Sequence, residues 1–206
     1  MAHMGFNPFQ LTRMNSTVTL IVCIQKAGEL WFGGQFPPQV AGMEVSAAIT
    51  EDRDAVAFRD GFNAGHTTQG DKWCVTATEL VMNPQFSQVG RDFTLLHELS
   101  HIFASEVAGR LGIAGRLTGQ GDEVLPDLIA AYLLTSTGLP WDTLLRELEP
   151  VKELVFDADN DGRAGNHPPA GERLQRIREL RAHLAHTGFD QAVAAILRDG
   201  GYLTRG

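Results

Sequence analysis

Cysteine is nearly missing from this sequence. The chain of 206 residues has two, Cys23 and Cys74, and no Cys-x-x-Cys pair. Thiolate zinc sites and dithiol redox chemistry therefore have no footing. Both cysteines lie in partly apolar, strand-like segments and read as buried free thiols. A disulfide between them is the alternative if the protein works in an oxidising compartment. Basic charge is also scarce: 17 Lys and Arg stand against 25 Asp and Glu, for a formal net charge of -8. The one basic cluster, Arg173, Arg176, Arg178 and Arg181, is interleaved with Glu172 and Glu179 and reads as a solvated helix face. No nucleic-acid partner is expected on that ground, because counterion release needs a basic surface.

Long apolar runs are missing too. None approaches the roughly 20 residues of a membrane span, so no integral membrane association is expected. The N-terminus shows neither a basic n-region nor a long apolar h-region, and Met1 to Met4 has the look of a cloning remnant. The expected location is soluble, cytoplasmic by default, with export lacking a signal peptide left open. Repeats and low-complexity tracts are absent.

The length suits one domain with a real core, taken as residues 1–206. Residues 1–15 are expected to be disordered or tag-derived, 16–90 mainly strands and 91–206 mainly helices. Thr17–Ile24 is a β-branched run and predicts a strand. Gly28 and Gly33-Gly34 bracket a short second strand around Leu30-Trp31-Phe32, and Pro37-Pro38 ends it. Ala41–Phe58 is ambiguous, with helix preferred. Lys72–Met82 reads as a strand closed by Asn83-Pro84.

From Arg91 the apolar period becomes helical. Asp92 is placed to cap a helix through about Ala108, and Asp122 a second through about Thr137, with Pro126 in or near its first turn. Trp141–Val155, a segment starting near Pro169, and Asp190–Arg198 complete the helices. The expected fold class is α+β and zincin-like: a small N-terminal β-sheet, an active-site helix and a C-terminal helical subdomain.

His97-Glu98-Leu99-Ser100-His101 is an H-E-x-x-H motif within the first of these helices. At 3.6 residues per turn, His97 and His101 project from one face and can share one tetrahedral zinc. Glu98 is rotated by about 100° and lies beside the metal, where it can take a proton from the water that zinc activates. A catalytic zinc needs a third protein ligand. Glu123 lies 22 residues after His101, past a glycine-rich connection, with Asp122 as the fallback. Asp127, one turn after Glu123 within an apolar run, is suited to accept the free ring N–H of a zinc histidine. Acids at a helix N-terminus also suit the macrodipole, which accounts for Asp122 but not for Asp127. His167, stiffened by Pro168-Pro169, is a candidate donor to the oxyanion of amide hydrolysis; Tyr132 is a weaker one.

The order HELSH, then Glu123-Val-Leu-Pro-Asp127 opening an apolar helix, then His167-Pro168-Pro169 followed by Glu172-Arg173 and Ile177, resembles the gluzincins of the HtpX and CAAX-prenyl-protease type and their small soluble relatives, the minigluzincins. The resemblance covers roughly Phe93 to Leu180. It implies His97, His101 and Glu123 as zinc ligands and Glu98 as base. It also implies that His167 and Arg173 lie near the metal, stabilising the oxyanion or holding the ligand Glu. Pro126 departs from the small residue usual there, and the membrane spans of the large members are missing, so their membrane substrates are not carried over. The Ala130-Ala131-Tyr132 continuation also looks like the ImmA-type, repressor-cleaving peptidases; the His-Pro-Pro segment favours the first group.

Two further features complete the reading. Lys72–Met82 is expected to form the sheet edge above the zinc, where a peptide could add by β-augmentation, or else to be an ordinary core strand. Asp157, Asp159, Asp161 and Gly162 match the first half of an EF-hand loop, but Pro168 stands where the bidentate acid belongs. The loop is a weak calcium candidate or a plain acidic surface loop. The leading function is a zinc metallopeptidase acting on a peptide or protein. The alternatives are a non-catalytic zinc-binding module, or a zinc amidohydrolase with a non-protein substrate. Oligomeric state is not legible.

Overall fold

A computed structural model describes residues 8–35, 47–49, 64–69, 72–77, 86–156 and 167–204. In chain order the elements are α1 (Pro8–Trp31), β1 (Ala47–Ile49), β2 (Ala64–Gln69), β3 (Lys72–Ala77), α2 (Gln88–Arg110), α3 (Gly121–Ser136), α4 (Trp141–Leu148), α5 (Lys152–Val155), α6 (Ala170–Leu184) and α7 (Phe189–Asp199). A 3-10 turn, Glu149–Val151, joins α4 to α5.

The architecture is mostly helical, which overturns the expected α+β fold with its N-terminal β-sheet. Among the residues whose burial is described, the core is built from the helices and the segments joining them. The decisive departure is α1. Thr17–Ile24 and Leu30–Trp31, both expected to be strands, belong to one helix of 24 residues. Leu20, Cys23, Ile24, Ala27 and Trp31 are buried, while Val18, Ile21 and Val22 face outward. That spacing of three, four and seven is a helical stripe. Each β-branched residue costs a helix at most about 0.7 kcal/mol. Burying a Leu, Ile or Trp side chain against other helices returns about 1.5–3 kcal/mol each, so packing decides. Cys23 is a free thiol with no disulfide, and burial pushes its pKa up to about 12 against the opposing hydrogen bond with Thr137.

Three short strands lie among the described residues. Their order is β1-β3-β2, parallel for β1 with β3 and antiparallel for β2 with β3. β3, expected at the sheet edge, is the central strand and is paired on both sides, so it offers no free edge to a peptide. β1, within the segment preferred as helix, lies against α1, and β2 and β3 lie against α2.

The remaining helices stand close to where the sequence puts them, but their ends differ. Ser87, not Asp92, caps α2, its hydroxyl accepting from Gly90 N–H at 3.1 Å. Asp92 lies inside the helix and is buried. It accepts bonds from Ser16 at 2.7 Å, Thr19 at 2.9 Å and Gln88 at 2.7 Å, which fastens α1 to α2. α3 starts at Gly121, whose N–H is taken by the Thr118 hydroxyl at 3.1 Å rather than by Asp122. An added Cβ at Gly121 would sit 2.6 Å from the Tyr202 carbonyl oxygen, so only glycine fits there. Pro126 is in the second turn of α3. The single expected helix 141–155 is broken at the 3-10 turn, where Pro150 lacks the N–H that an α-helix needs.

α3 is the hub of the fold. It packs against α1, α2, α4, α6 and α7 and is apolar nearly all round, as a central helix should be. Asp127 on this helix is fully buried. Among the described residues no helix is long and apolar enough to cross a membrane.

Candidate metal centre

α2 and α3 are neighbours, and their contact brings the H-E-x-x-H segment against the first turns of α3. His97 Nε2 and His101 Nε2 are 3.2 Å apart. Glu123 Oε2 lies 3.4 Å from the first and 3.9 Å from the second. One ligand atom from each of the three falls within 4.8 Å of the others, the one such cluster among the described residues. A tetrahedral zinc with bonds of about 2.0–2.1 Å sets its donor atoms about 3.3–3.4 Å apart. Two of the three separations lie close to that edge length and the third, His101 to Glu123 at 3.9 Å, is somewhat longer, so the donor set can close on a zinc ion with a small movement of Glu123 or His101. Asp122, the fallback ligand, is not part of the cluster.

The far side of His97 explains why its Nε2 is the atom presented. His97 Nδ1 lies 2.8 Å from Asp127 Oδ1. A ring that donates from Nδ1 keeps its lone pair on Nε2. Asp127 is held in turn by Arg173, with Nε at 2.6 Å from Oδ2 and an Nη at 2.9 Å from Oδ1. The other Nη of Arg173 donates to the Phe156 carbonyl at 2.8 Å, and the guanidinium lies over the Phe156 ring at 4.9 Å.

Arg173 is therefore a buried residue facing the site, not a member of a solvated basic face; Arg176, Arg178 and Arg181 remain outside, each paired with an acid. It stands behind the cluster, 3.8 Å from Glu123 Oε2, and reaches His97 through Asp127. Phe156 escaped notice in the sequence. Its contribution is a main-chain carbonyl and a ring face, which no residue pattern announces.

Charge follows this packing. Burial alone would raise the Asp127 carboxyl, but Arg173 and His97 hold it well below its ordinary range. Burial would likewise raise Glu123, and the hydrogen bond and charges of His97, Arg173 and His101 pull it down, so it is ionised. Burial pushes the His97 imidazole down, but Asp127 and Glu123 on its two sides overcome this and carry it up to about 10.

In a metal-free chain this shift favours the protonated form of His97 at neutral pH. A folded pKa above the ordinary 6.5 contributes stability that is complete below about 6.5 and is lost as pH rises toward 10. Chelator-treated protein should melt at progressively lower temperature from about pH 7 to pH 10. Zinc-loaded protein should not share that fall, because a coordinated imidazole carries no ring proton to lose from that nitrogen. A metal-free melting temperature flat over this window would show that His97 is not so poised.

His167 is brought to the same cluster, its Nδ1 3.5 Å from Glu123 Oε2. It leads into α6, which begins directly after Pro169. Glu98 is half-buried, and its charge reaches Arg173. Tyr132 is not brought in. It stacks on Phe189 at 4.3 Å beside Trp31, more than two turns along α3 from Glu123. The acidic residues Asp157, Asp159 and Asp161 lie outside the described residues, as does the side chain of Cys74.

No protein-family model, no curated protein and no solved structure matches this chain.

Proposed function

We propose that this chain is a zinc-dependent metallopeptidase that hydrolyses a peptide or protein substrate, with His97, His101 and Glu123 as ligands and Glu98 as general base. The observation that carries the reading is the convergence of three ligand atoms from two helices, with Asp127 braced against the back of His97. A structural zinc has no use for an unligated carboxylate beside it; Glu98 supplies one. The motif order that resembles the gluzincins and minigluzincins supports the same assignment. The reading places the protein in solution, by default in the cytoplasm.

A bound zinc would act as a Lewis acid on the scissile carbonyl and lower the pKa of water to about 7. The chain's own residues do the rest. Glu98 takes the proton of the attacking water and passes it to the leaving amine. Asp127 fixes the His97 tautomer, and Arg173 fixes Asp127. His167, beside Glu123, donates to the carbonyl oxygen as charge builds there or steadies the Glu123 carboxylate; a donor in the first role is worth about 2.7–4 kcal/mol.

Metal content tests the site. Wild-type protein should hold one zinc per chain by mass spectrometry, and the His97→Ala/His101→Ala variant none above background. Stoichiometric zinc in that variant would move the site elsewhere. A zinc-loaded wild type that cleaves no unfolded protein or peptide library would leave a non-catalytic zinc module instead.

A further inference from the structure

Far from the metal cluster, a cavity of about 520 Å³ opens between the C-terminal ends of α2 and α7. Its walls are Leu111, Ile113, Ala194 and Leu203, and two arginines, Arg116 and Arg198, line it with them; no acidic residue does. The two cations are exceptional in this acidic chain. Among the described side chains, every other Lys or Arg faces a carboxylate. Lys26 pairs with Glu29, Arg110 with Asp190, Arg146 with Glu147, Lys152 and Arg178 with Glu149, Arg173 with Asp127, Arg176 with Glu179 and Arg181 with Asp142. Arg91 lies in the field of Asp92. Arg116 and Arg198 have no carboxylate partner among the described residues, and both line the same cavity.

The helix ends do not account for both charges. α2 and α7 each present a C-terminus there, and each end carries about half a negative charge. Two guanidinium charges exceed that by roughly one unit. The walls are also held in place. Thr204 N–H donates to the Arg116 carbonyl at 2.7 Å, Arg116 N–H to Ile113 at 2.9 Å and Gly201 N–H to Arg198 at 3.1 Å. Leu117 and Leu203 form a β-bridge that closes the C-terminal segment onto the loop. The volume lies in the range of pockets that take small organic ligands.

We infer that this cavity binds a small organic anion, its acidic head between Arg116 and Arg198 and its apolar body against the leucine and isoleucine walls. A planar guanidinium is matched to carboxylate and phosphate oxygens, and two of them suit a shared anionic head. The site is separate from the metal cluster: Leu111, at the C-cap of α2, follows His101 by ten residues, about 15 Å along the helix axis at 1.5 Å per residue. It stands whether or not the chain is a peptidase.

Calorimetric titration of the full chain with sodium octanoate tests the assignment. One octanoate per chain should bind saturably, and Arg116→Gln and Arg198→Gln should each weaken it at least tenfold. Both side chains are exposed, so circular dichroism should not change. Octanol, which has the same body without the charge, should bind at least tenfold more weakly than octanoate. Inorganic phosphate, which has the charge without the body, should do the same. Absence of saturable heat up to 10 mM octanoate overturns the assignment. So does equal binding by the Arg116→Gln/Arg198→Gln protein, by octanol or by phosphate.

Discussion

Glu98→Gln is expected to lower kcat/KM on an unfolded-protein substrate by about 10²- to 10⁴-fold while leaving bound zinc and melting temperature unchanged. The amide has the size of the carboxylate but no basic oxygen. It cannot take the proton of the attacking water. Glu98 is on the same helix as the proposed ligands His97 and His101, yet it is not one of the three residues whose donor atoms cluster. Loss of the base should therefore separate from loss of the metal. Three parallel measurements are needed: turnover, zinc by mass spectrometry and thermal melting. A variant that keeps more than a tenth of wild-type turnover would remove Glu98 from the reaction. A variant that loses zinc along with turnover would make Glu98 a ligand, and the arrangement of His97, His101 and Glu123 would then need a different account.

Arg173→Met is expected to destabilise the fold by about 3–5 kcal/mol, a large part of the 5–15 kcal/mol that holds a domain of this size together. Asp127 is fully buried and Arg173 nearly so, and they share two hydrogen bonds at 2.6 and 2.9 Å. Removing the guanidinium leaves a carboxylate in the core with only His97 to oppose it, and strips the Phe156 carbonyl of its donor. The cost is mainly that of the stranded charge. Arg173→Met combined with Asp127→Leu should then recover part of the loss, since replacing both members of a buried pair is far cheaper than removing one. Urea denaturation reads both numbers, with an unchanged slope as the sign that the same two states are compared. A single variant costing less than about 1 kcal/mol would mean that water reaches Asp127 and that the network does not organise the site.

Much of the site is legible in the residues themselves, and the reason is helical geometry. His97 and His101 share a face because four residues make about one turn, whatever the rest of the chain does. Asp127 stands out for a related reason: a carboxylate in the run Val124, Leu125, Leu128, Ile129 has no solvent to face and must have a partner. That Arg173 is the partner was not legible from composition or spacing, by which it reads as one of four arginines on a solvated helix. The resemblance to the gluzincins implied a place near the metal, at the oxyanion or the ligand Glu, but not on Asp127. The packing of α6 on α3 turns Arg173 inward to Asp127 while Arg176, Arg178 and Arg181 stay outside. Asp92 is a similar case. It has the residue type of a helix cap, but α2 begins earlier, at Ser87, and Asp92 becomes the buried acceptor that fastens α1.

The fold divides along the same line. The sequence by itself determined the helices after Arg91, because their apolar period and the prolines before α6 act within a few residues of one another; it did not determine their starts, where Ser87 and Thr118 rather than Asp92 and Asp122 take the first N–H groups. It also determined the pair of histidines and the carboxylate between them. What only the tertiary structure decided is the state of 17–24 and the choice between Glu123 and its fallback Asp122. β-branched residues lean toward strand by a few tenths of a kcal/mol each, and the stripe Leu20, Cys23, Ile24, Ala27, Trp31 leans toward helix only when there are helices to bury it. Glu123 is a carboxylate on a helix N-terminus until α3 packs against α2; after that its Oε2 stands 3.4 Å from His97. Local periodicity is written in neighbours along the chain, whereas a side-chain cluster drawn from two helices depends on the long-range packing that buries both.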